Sequence, residues 1–284
     1  MYSIGVVGNG FVGSSLAAGF SLHAEVKIYD VDARKATHTF TEVANSDYIF
    51  VAVPTPMKEV TGGGIDLTIM NKVIQDLANA NEREDNVIII KSTVIPGTIQ
   101  KYIDKHLNLN IIHSPEFLTE RVARLDFINS ARIVLGGEKK DTEKAKKLFR
   151  VRFPHTKIIQ TNAVTAEFIK YMANSFFAVK VSFMNELKQA AEKLNVDWDG
   201  AMDGFTSDGR VGNSHLDVPG HDGKRGFGGK CFPKDINAFI HLFEKIEIKP
   251  TVMKAAWEKN LEVRSVYDWK DIKGAVTDKG ENDG

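Results

Sequence analysis

Short apolar runs alternate with stretches of helical spacing along the first half of the chain. The runs occupy residues 4–7, 26–29, 48–53, 87–90, 111–112 and 132–135. They are rich in β-branched side chains and apolar at consecutive positions, which is typical of parallel strands covered on both faces by helices. The pattern predicts an α/β domain over residues 1–160 with a Rossmann-type parallel sheet. Residues 153–159 are a candidate for one more strand.

The spacing becomes that of a helix after Thr161. Residues 162–194 contain neither glycine nor proline and have apolar side chains at helical intervals. We predict one long helix here, capped by Asn162 or Thr161. Three phenylalanines indicate that much of this helix is buried, namely Phe176, Phe177 and Phe183.

The remainder of the chain is predicted to be helical and irregular. A glycine-rich irregular stretch covers residues 200–229, and helices are predicted near 234–243 and 250–266. These elements predict an all-helical second domain, built on the long helix, over residues 161–268. The polar residues 269–284 are expected to form a frayed tail.

Composition and charge narrow the possible functions. The chain of 284 residues has 37 basic and 37 acidic residues, so no global attraction to nucleic acid or to a membrane surface follows. No stretch approaches the roughly 18 consecutive apolar residues of a membrane span, and the N-terminus enters a strand pattern without a signal-peptide pattern. A single cysteine cannot form an intrachain disulfide, which fits a reducing compartment. We therefore expect a soluble, cytoplasmic protein.

A glycine turn follows the first predicted strand. Gly8, Gly10 and Gly13 have the spacing G-x-G-x-x-G and are followed by a helical run. In such turns the first glycine permits a tight bend, the second lets the backbone approach a pyrophosphate, and the third lets helix and strand pack closely. Asp30 ends the second strand about 20 residues later, where a carboxylate accepts a hydrogen bond from a ribose hydroxyl and repels a 2′-phosphate. The motif predicts NAD rather than NADP as the cofactor.

Polar loops follow three of the predicted strands, at the sheet edge where ligands bind in such folds. They comprise residues 54–56, 91–97 and 113–120. Their hydroxyl and carboxylate groups could bind the nicotinamide ribose, order a water molecule or act as bases. Each loop taken alone could equally be an ordinary loop with a helix-capping Ser or Thr.

Lys170 and Asn174 are four residues apart in the predicted long helix, so they lie on one face of it. Together they could orient a substrate hydroxyl and stabilise an oxyanion. A lysine on a helix is more often simply solvated. The apolar residues around Lys170, however, favour an inward side chain that has a partner or a function.

The only cysteine, Cys231, follows the segment GFGGK and begins a predicted helix. Lys230 and Lys234 lie close to it in sequence, and both cations and a helix N-terminus lower the pKa of a thiol. This setting favours a nucleophile, whereas most lone cysteines are small buried hydrophobes. The absence of a second cysteine and the spacing of the histidines argue against a metal site.

Six segments, taken in order, resemble the UDP-glucose/GDP-mannose dehydrogenase family. The resemblance covers residues 1–266 and is carried by GNGFVG, VAVPTP, KSTVIPGT, HSPEFLTE, AEFIKYMANSFFAVKVSFMNEL and GFGGKCFPKD. It implies an NAD-binding Rossmann domain that leads through a long helix into a helical central domain.

The resemblance also implies a reaction. The family oxidises the 6-hydroxymethyl group of a nucleotide sugar to a carboxylate with two NAD and no metal. UDP-glucose, oxidised to UDP-glucuronate for polysaccharide biosynthesis, is the expected substrate. Cys231 would attack the aldehyde made by the first oxidation, and the resulting thiohemiacetal would become a thioester that water hydrolyses.

Roles for further residues follow from the same resemblance. Lys170 and Asn174 would stabilise negative charge on the sugar oxygen. Asp235 and Thr93 would position water, and Glu116 would act as the base in hydrolysis. The expected NAD contacts are Gly8, Gly10, Phe11, Val12, Gly13, Asp30, Lys35, Thr55, Thr93, Glu120 and Lys234. The expected substrate contacts are Glu116, Phe117, Leu118, Glu120, Lys170, Asn174, Gly228 and Arg210, the last of which would reach the sugar of a neighbouring subunit.

Three features depart from the family pattern. Arg121 stands where the family has a glycine, and we expect it to crowd the substrate loop. The loop of residues 215–225 is longer than usual and carries candidate phosphate ligands, namely His215, His221, Lys224 and Arg225. Family members continue into a third, Rossmann-like domain that grips the nucleotide, and we expect this chain to lack it.

Three interpretations remain open on the sequence. The chain is an active nucleotide-sugar dehydrogenase completed by a partner chain or by its own dimer, a 3-hydroxyacid dehydrogenase that needs one NAD and no cysteine, or a catalytically impaired NAD-binding protein. We expect a homodimer through the central helical domain. The expected ligand is a nucleotide sugar, and neither nucleic acid nor a membrane is an expected partner.

Overall fold

The chain forms two compact units. The structure is a computed structural model that describes residues 1–118 and 120–277, without the side chain of Glu120. The first unit comprises Met1–Thr55 and Asp66–Lys170, and the second comprises Pro56–Ile65 and the chain from Tyr171 onward. The expected domain boundary between residues 160 and 161 differs from this division in two respects. The segment Pro56–Ile65 belongs to the second unit, and the first turns of the long helix, up to Lys170, belong to the first unit.

The described part of the chain contains nine strands and ten α-helices. The strands are β1 (Tyr2–Val7), β2 (Ala24–Tyr29), β3 (Tyr48–Val51), β4 (Met57–Glu59), β5 (Gly62–Ile65), β6 (Val87–Ile90), β7 (Ile111–His113), β8 (Arg132–Gly136) and β9 (Lys157–Thr161). The helices are α1 (Phe11–Phe20), α2 (Phe40–Ala44), α3 (Thr68–Ala80), α4 (Thr98–Lys105), α5 (Ala123–Ile128), α6 (Lys139–Arg152), α7 (Ala163–Leu194), α8 (Trp198–Thr206), α9 (Phe232–Lys245) and α10 (Thr251–Val263).

The first unit is built on a seven-stranded sheet in the order β2-β1-β3-β6-β7-β8-β9. All six predicted strands and the candidate strand after residue 153 are present. The sheet is parallel except between β7 and β8, which pair antiparallel at His113 and Gly136. The expected Rossmann-type sheet is thus confirmed as mostly parallel, with β8 and β9 running opposite to the other five strands.

Both faces of this sheet are buried, as the consecutive apolar positions predicted. Phe50 of β3 and Ile89 of β6 belong to one hydrophobic cluster, together with Phe20, Phe127 and Phe149. Their chain neighbours point to the opposite face and join the second cluster, whose members include Ile49, Val51, Ile88 and Ile90. Alternation of side chains along a strand places successive residues on opposite faces. A sheet with helices on both sides accounts for this pattern.

The long helix α7 begins within the first unit. The Asn162 side-chain oxygen accepts a hydrogen bond from the Thr165 amide at 2.8 Å, which confirms Asn162 as its cap. Glu167, one turn later, accepts hydrogen bonds from the amides of Gly97 and Ile99 at 2.6 and 2.8 Å. These amides are at the N-terminus of α4, so Glu167 supplies the cap that α4 does not have in its own sequence. Burial raises the pKa of Glu167 to about 7.

The predicted burial of the α7 phenylalanines is only partly correct. Phe177 stacks on the ring of His215 at 4.2 Å between centroids, whereas Phe176 and Phe183 are 63% and 53% exposed. Positions three and four residues apart share a helix face, and here such a face remains exposed although it is apolar. We call it the apolar stripe; it comprises Val164, Phe168, Met172, Phe176, Phe183 and Leu187.

The second unit joins helices to the β4–β5 hairpin around its own core. Trp257 and Trp269 are 6% and 1% exposed, and their indole groups donate to the carbonyls of Thr61 and Val60 at 3.1 and 2.7 Å. The expectation of a frayed end from residue 269 is therefore wrong up to Thr277, since Thr277 also donates to the Met57 carbonyl at 2.8 Å. A large buried indole outweighs the polarity of its neighbours. The rest of the predicted tail, 278–284, lies outside the described residues.

The glycine-rich stretch begins later than predicted. Residues Trp198–Thr206 form α8, and the Asp197 carboxylate caps this helix by accepting from the Gly200 amide at 3.2 Å. Two glycines within this segment suggested irregular structure, but the cap and the apolar residues around them stabilise a helix. Among the described helices, none combines the length and the hydropathy that a membrane span requires.

Candidate active site

The glycine turn between β1 and α1 has the geometry of a dinucleotide site. Gly8 has φ +93°, and a Cβ at Gly13 would lie 1.9 Å from the Gly8 carbonyl oxygen. These two glycines are thus required by the turn and by helix packing. A Cβ at Gly10 would meet nothing within 4 Å. The N-terminus of α1 is therefore open at Gly10, where a pyrophosphate could approach the backbone.

Asp30 lies directly after β2, with its carboxylate held in place. Its two oxygens accept hydrogen bonds from the amides of Asn9 and Asp32 at 2.7 and 2.9 Å. The Asn9 side chain in turn donates to the Lys35 carbonyl at 2.8 Å. The turn, the carboxylate and the exposed Lys35 fit an adenosine ribose and its neighbouring phosphates. The residues present therefore suit NAD, with Phe11 and Val12 at the start of α1.

The loops that follow β3 and β6 are connected to each other. The Thr55 hydroxyl donates to the Thr93 carbonyl at 2.8 Å, and the Ser92 hydroxyl donates to the Val53 carbonyl at 2.7 Å. Thr55 is buried and Thr93 is partly exposed. The structure thus places both predicted threonines at the carboxyl edge of the sheet.

Glu116 and Lys170 form a buried ion pair in the first unit. The Lys170 Nζ lies 3.0 Å from Glu116 Oε1, and the two side chains are 3% and 8% exposed. The other carboxylate oxygen accepts from the Leu118 amide at 2.6 Å. Lys170 also lies 5.6 Å from the centre of the Phe117 ring, whose face is covered by Arg132. A buried charge pair with these extra contacts holds both groups in one geometry.

Lys91 is a buried lysine that none of the sequence motifs assigns to the site. Its Nζ donates to the Ser114 hydroxyl and to the Pro115 carbonyl, both at 3.2 Å. Burial lowers the pKa of Lys91 to about 7, while the Glu116 carboxylate acts in the opposite direction and Lys170 adds to the lowering. Lys91 and Glu116 also line a cavity of about 240 Å³. A lysine directly after four apolar strand residues was the signal that could have identified it.

Cys231 is the N-cap residue of α9 in the second unit and is partly exposed. One turn later Asp235, 1% exposed, accepts from the Asn174 amide group at 2.5 Å. Lys234 forms an ion pair with the same carboxylate. The structure thus brings Asn174, Lys234 and Asp235 together near the start of the helix that Cys231 begins. It also places Lys170 and Asn174 on one helix at the predicted spacing.

The remaining predicted residues are less closely grouped. A Cβ at Gly228 would lie 2.2 Å from an Asp268 carboxylate oxygen. Arg210 is exposed and paired with Asp208 at 2.5 Å. Arg121 is exposed as well, so it does not fill the interior of its own loop. Glu120 was expected to contact both ligands, but its side chain lies outside the described residues.

The long loop of residues 215–225 already uses part of its charge internally. Arg225 forms an ion pair with Glu192, and Asp222 pairs with Arg264 at 2.7 Å. His215 stacks on Phe177. Among the described residues no group of three or more His, Cys, Asp or Glu side chains could hold a metal ion.

Comparison with known proteins identifies the family. Residues 33–152 match the model of the UDP-glucose/GDP-mannose dehydrogenase family, NAD binding domain, and residues 164–262 match that of the central domain. The UDP-glucose 6-dehydrogenase of Rickettsia prowazekii is 36% identical over 236 residues, which are 81% of this chain and 52% of that protein. The chain spans about half the length of the curated relatives it matches.

Solved structures agree in fold. A UDP-glucose dehydrogenase from Pyrobaculum islandicum superimposes with a TM-score of 0.79 at 26% identity, over 92% of this chain and 68% of that one. The 3-hydroxyisobutyrate dehydrogenase of Mycobacterium tuberculosis has a TM-score of 0.76 and covers 97% of both chains, but its 17% identity shows the fold alone. The two family models and the relatives lead to one conclusion: the chain belongs to the UDP-glucose/GDP-mannose dehydrogenase family and contains its NAD-binding and central domains.

Proposed function

We propose that this protein oxidises the hydroxymethyl group of a nucleotide sugar to a carboxylate in two NAD-dependent steps. UDP-glucose is the first candidate because the curated relatives are named UDP-glucose 6-dehydrogenases. The observation that carries the proposal is the partly exposed Cys231 at the start of α9, one turn before the buried Asp235 and its partner Asn174. An oxidation that passes through an aldehyde needs a nucleophile to convert that aldehyde into an oxidisable adduct.

The first oxidation would depend on stabilising charge at the sugar oxygen. Lys170 and Asn174 supply an ammonium and an amide for this purpose. Lys170 is already paired with Glu116 in a buried setting. The hydroxyl proton would leave to solvent as the hydride departs, and the Lys170 ammonium would stabilise the oxyanion that develops. Bound NAD would accept the hydride in each of the two oxidations.

The second oxidation and the hydrolysis would proceed on Cys231. The sulfur forms a bond to the aldehyde carbon while the thiol proton passes to the carbonyl oxygen, which gives a thiohemiacetal. Loss of a hydride from that carbon, and of the hydroxyl proton, leaves a thioester. Water then adds, Glu116 takes its proton, and the carbon–sulfur bond breaks to release the acid and the thiolate. Asp235 and Thr93 would position this water. In total, one alcohol and one water yield one acid, two hydrides and two protons.

The stoichiometry of the reaction tests this proposal. NADH formation should be measured with UDP-glucose, GDP-mannose and N-acetylated UDP-hexosamines, and the sugar acid quantified in parallel. We expect two NADH per sugar acid with one of these substrates. Cys231→Ser should lower acid formation by about a thousandfold or more while it binds NAD as tightly as the wild type. One NADH per turnover, or a fully active Cys231→Ser protein, would contradict the proposal, as would saturable NAD binding without turnover.

A further inference from the structure

The glycine loop that precedes Cys231 is held by side chains of the second unit rather than by helix or strand pairing. This loop, Gly226 to Gly229, offers its backbone amides to three acceptors. Asn185 accepts from Gly226 at 3.1 Å, Asn260 accepts from Phe227 at 2.7 Å, and Asp268 accepts from Gly229 at 3.1 Å. The loop is thus fixed at three of its four residues.

Asn260 makes the most complete of these contacts. Its side-chain oxygen accepts from the Phe227 amide, and its side-chain nitrogen donates to the Phe227 carbonyl at 3.1 Å. The residue is fully buried. A bidentate amide contact to one peptide residue imposes both the position and the orientation of the backbone. An aspartate or a leucine of similar size could not satisfy both groups of Phe227.

The close approach of these side chains explains why three of the four loop residues are glycines. A Cβ at Gly226 would lie 2.4 Å from the Asn260 oxygen, and a Cβ at Gly228 would lie 2.2 Å from an Asp268 oxygen. Gly226 and Gly229 also have φ values of +68° and +72°, which favour glycine. The loop glycines therefore let Asn260 and Asp268 reach the backbone.

Arg264 orients Asp268. Its guanidinium contacts the carboxylates of Asp268 and Asp222 at 2.8 and 2.7 Å, and its side chain is 1% exposed. A planar guanidinium between two carboxylates fixes both of them. One oxygen of Asp268 is thereby directed to Arg264, and the other remains available to the Gly229 amide.

We infer that Asn260 and Asp268 are positioning residues for Cys231. Gly229 is separated from Cys231 by one residue, so a fixed Gly229 amide strongly limits where the sulfur can lie. On the other side of the loop, the Phe227 ring contacts those of Phe232 and Trp257 at about 6 Å between centroids. α10 and the turn after it thus set the geometry of the thiol through the backbone of the loop. The catalytic consequence rests on the proposed function of Cys231, whereas the positioning itself does not.

The single cysteine makes a direct test possible, because thiol alkylation reports only on Cys231. Asp268→Ala removes the contact to Gly229, whereas Asp268→Asn keeps an oxygen that can accept from it; both lose the ion pair with Arg264. Asn260→Ala removes the Phe227 contacts. Glu258→Gln, at an exposed position of α10, is the matched control. Iodoacetamide alkylation rates and amide hydrogen exchange of the loop should be measured at a temperature where circular dichroism shows each variant folded.

We expect the loop amides to exchange about fivefold to tenfold faster in Asp268→Ala, as the loss of one hydrogen bond implies, and the alkylation rate to change at least threefold. Asp268→Asn should recover most of both effects, and Glu258→Gln should show neither. If Asn260→Ala does not fold, the Asp268 pair still decides the question, because Asp268 is partly exposed. Unchanged alkylation and exchange in folded Asp268→Ala would overturn the inference.

Activity separates this inference from the proposed function. With an active enzyme, Asp268→Ala should lower kcat by about tenfold and leave the KM for NAD unchanged. If the labelling changes as expected but Cys231→Ser remains active, the positioning stands and the proposed role of the thiol fails.

Discussion

At the residue scale, the site combines charges that are individually unfavourable to bury. Glu116 and Lys170 are nearly inaccessible and satisfy each other, and Lys91 is held by a hydroxyl and a carbonyl rather than by a carboxylate. A lysine without a carboxylate in direct contact bears most of the desolvation cost, which explains why its pKa falls. We therefore expect Glu116 to affect turnover and Lys91 to affect the pH dependence of stability.

The first prediction concerns Glu116→Gln. Without the carboxylate, hydrolysis lacks its base, so two NADH per protein should form in a rapid burst and steady turnover should slow by about a hundredfold to a thousandfold. Stopped-flow absorbance at the NADH wavelength measures both phases. Cys231→Ser should show no burst of two equivalents. Steady turnover of Glu116→Gln at the wild-type rate would show that another group is the base.

The second prediction concerns the pH dependence of stability through Lys91. Its folded pKa of about 7 lies below its ordinary value of 10.5, so between these pH values the unfolded chain binds a proton that the native state does not. The unfolding free energy should therefore rise with pH in this window, by at most about 1.4 kcal/mol per pH unit, and the gain should be lost as pH falls towards 7.

Denaturant unfolding of the wild type and Lys91→Met at pH 7, 8 and 9 checks this sign. The difference in unfolding free energy between the two proteins should grow with pH in favour of the wild type. Lys72→Met, at an exposed position of α3, should track the wild type at every pH. A Lys91→Met protein whose stability runs parallel to the wild type would mean that Lys91 is charged throughout.

At the element scale, the glycine turn shows that neighbouring glycines serve different purposes. A Cβ at Gly13 would be 1.9 Å from a backbone oxygen, whereas a Cβ at Gly10 would meet nothing. Gly10 also has an ordinary extended backbone with φ −78°, so alanine is not strained there. Packing requires the third glycine, and only a ligand would require the second.

This difference gives a matched pair of variants. Gly13→Ala should lower the unfolding free energy by about 1–3 kcal/mol because α1 must shift from β1. Gly10→Ala should leave stability within about 0.5 kcal/mol but weaken NAD binding at least about tenfold, since a methyl group would stand where the pyrophosphate approaches. Thermal or denaturant unfolding and calorimetric titration with NAD measure the two effects. Tight NAD binding by Gly10→Ala would place the dinucleotide elsewhere.

The elements that were predicted well from the sequence are those with a clear pattern of apolar residues. Six strands with consecutive apolar residues and the long α7 appear as predicted, because burial on both faces and the absence of glycine and proline leave few alternatives. The sequence could not show that Phe176 and Phe183 are exposed. Apolar residues at helical spacing identify an apolar face, but they do not show whether the same chain covers that face. It also missed the hairpin of β4 and β5, where three glycines obscure the strand pattern.

The residues of the candidate site that could be predicted are those whose type and position are both specified by a local sequence motif. Gly8, Gly13, Asp30 and Cys231 occupy the turn, strand end and helix start that their motifs imply. Lys91 and Asn260 were not identified, because their importance depends on partners 23 and 33 residues away. Such long-range contacts leave no local pattern. Only the apolar surroundings of Lys91 hinted at a buried role.

At the scale of the whole molecule, the apolar stripe on α7 is the surface that most needs an explanation. Its six side chains are 38% to 63% exposed, and apolar surface of this extent usually marks an interface. We propose that a second copy of the chain covers it and that the protein is a homodimer. Together, Met172→Glu and Phe176→Glu would place charges within such an interface.

Light scattering coupled to size-exclusion chromatography tests the dimer. The wild type should have twice the chain mass of 31.5 kDa at micromolar concentration, and the double variant Met172→Glu/Phe176→Glu should have the mass of one chain. Lys193→Glu, at an exposed position near the end of α7, should remain dimeric. A monomeric wild type, or a dimeric double variant, would remove the stripe from the interface.

The central claim, that oxidation proceeds through a covalent bond to Cys231, is tested most directly by intact-protein mass spectrometry. Glu116→Gln should be mixed with NAD and UDP-glucose, or with the substrate found in the screen, and quenched in acid within the burst. A thioester predicts a mass increase equal to that of the substrate less four hydrogens, on the peptide that contains Cys231. Turnover to the acid without any such adduct, or the same adduct in a Cys231→Ser protein, would contradict the account.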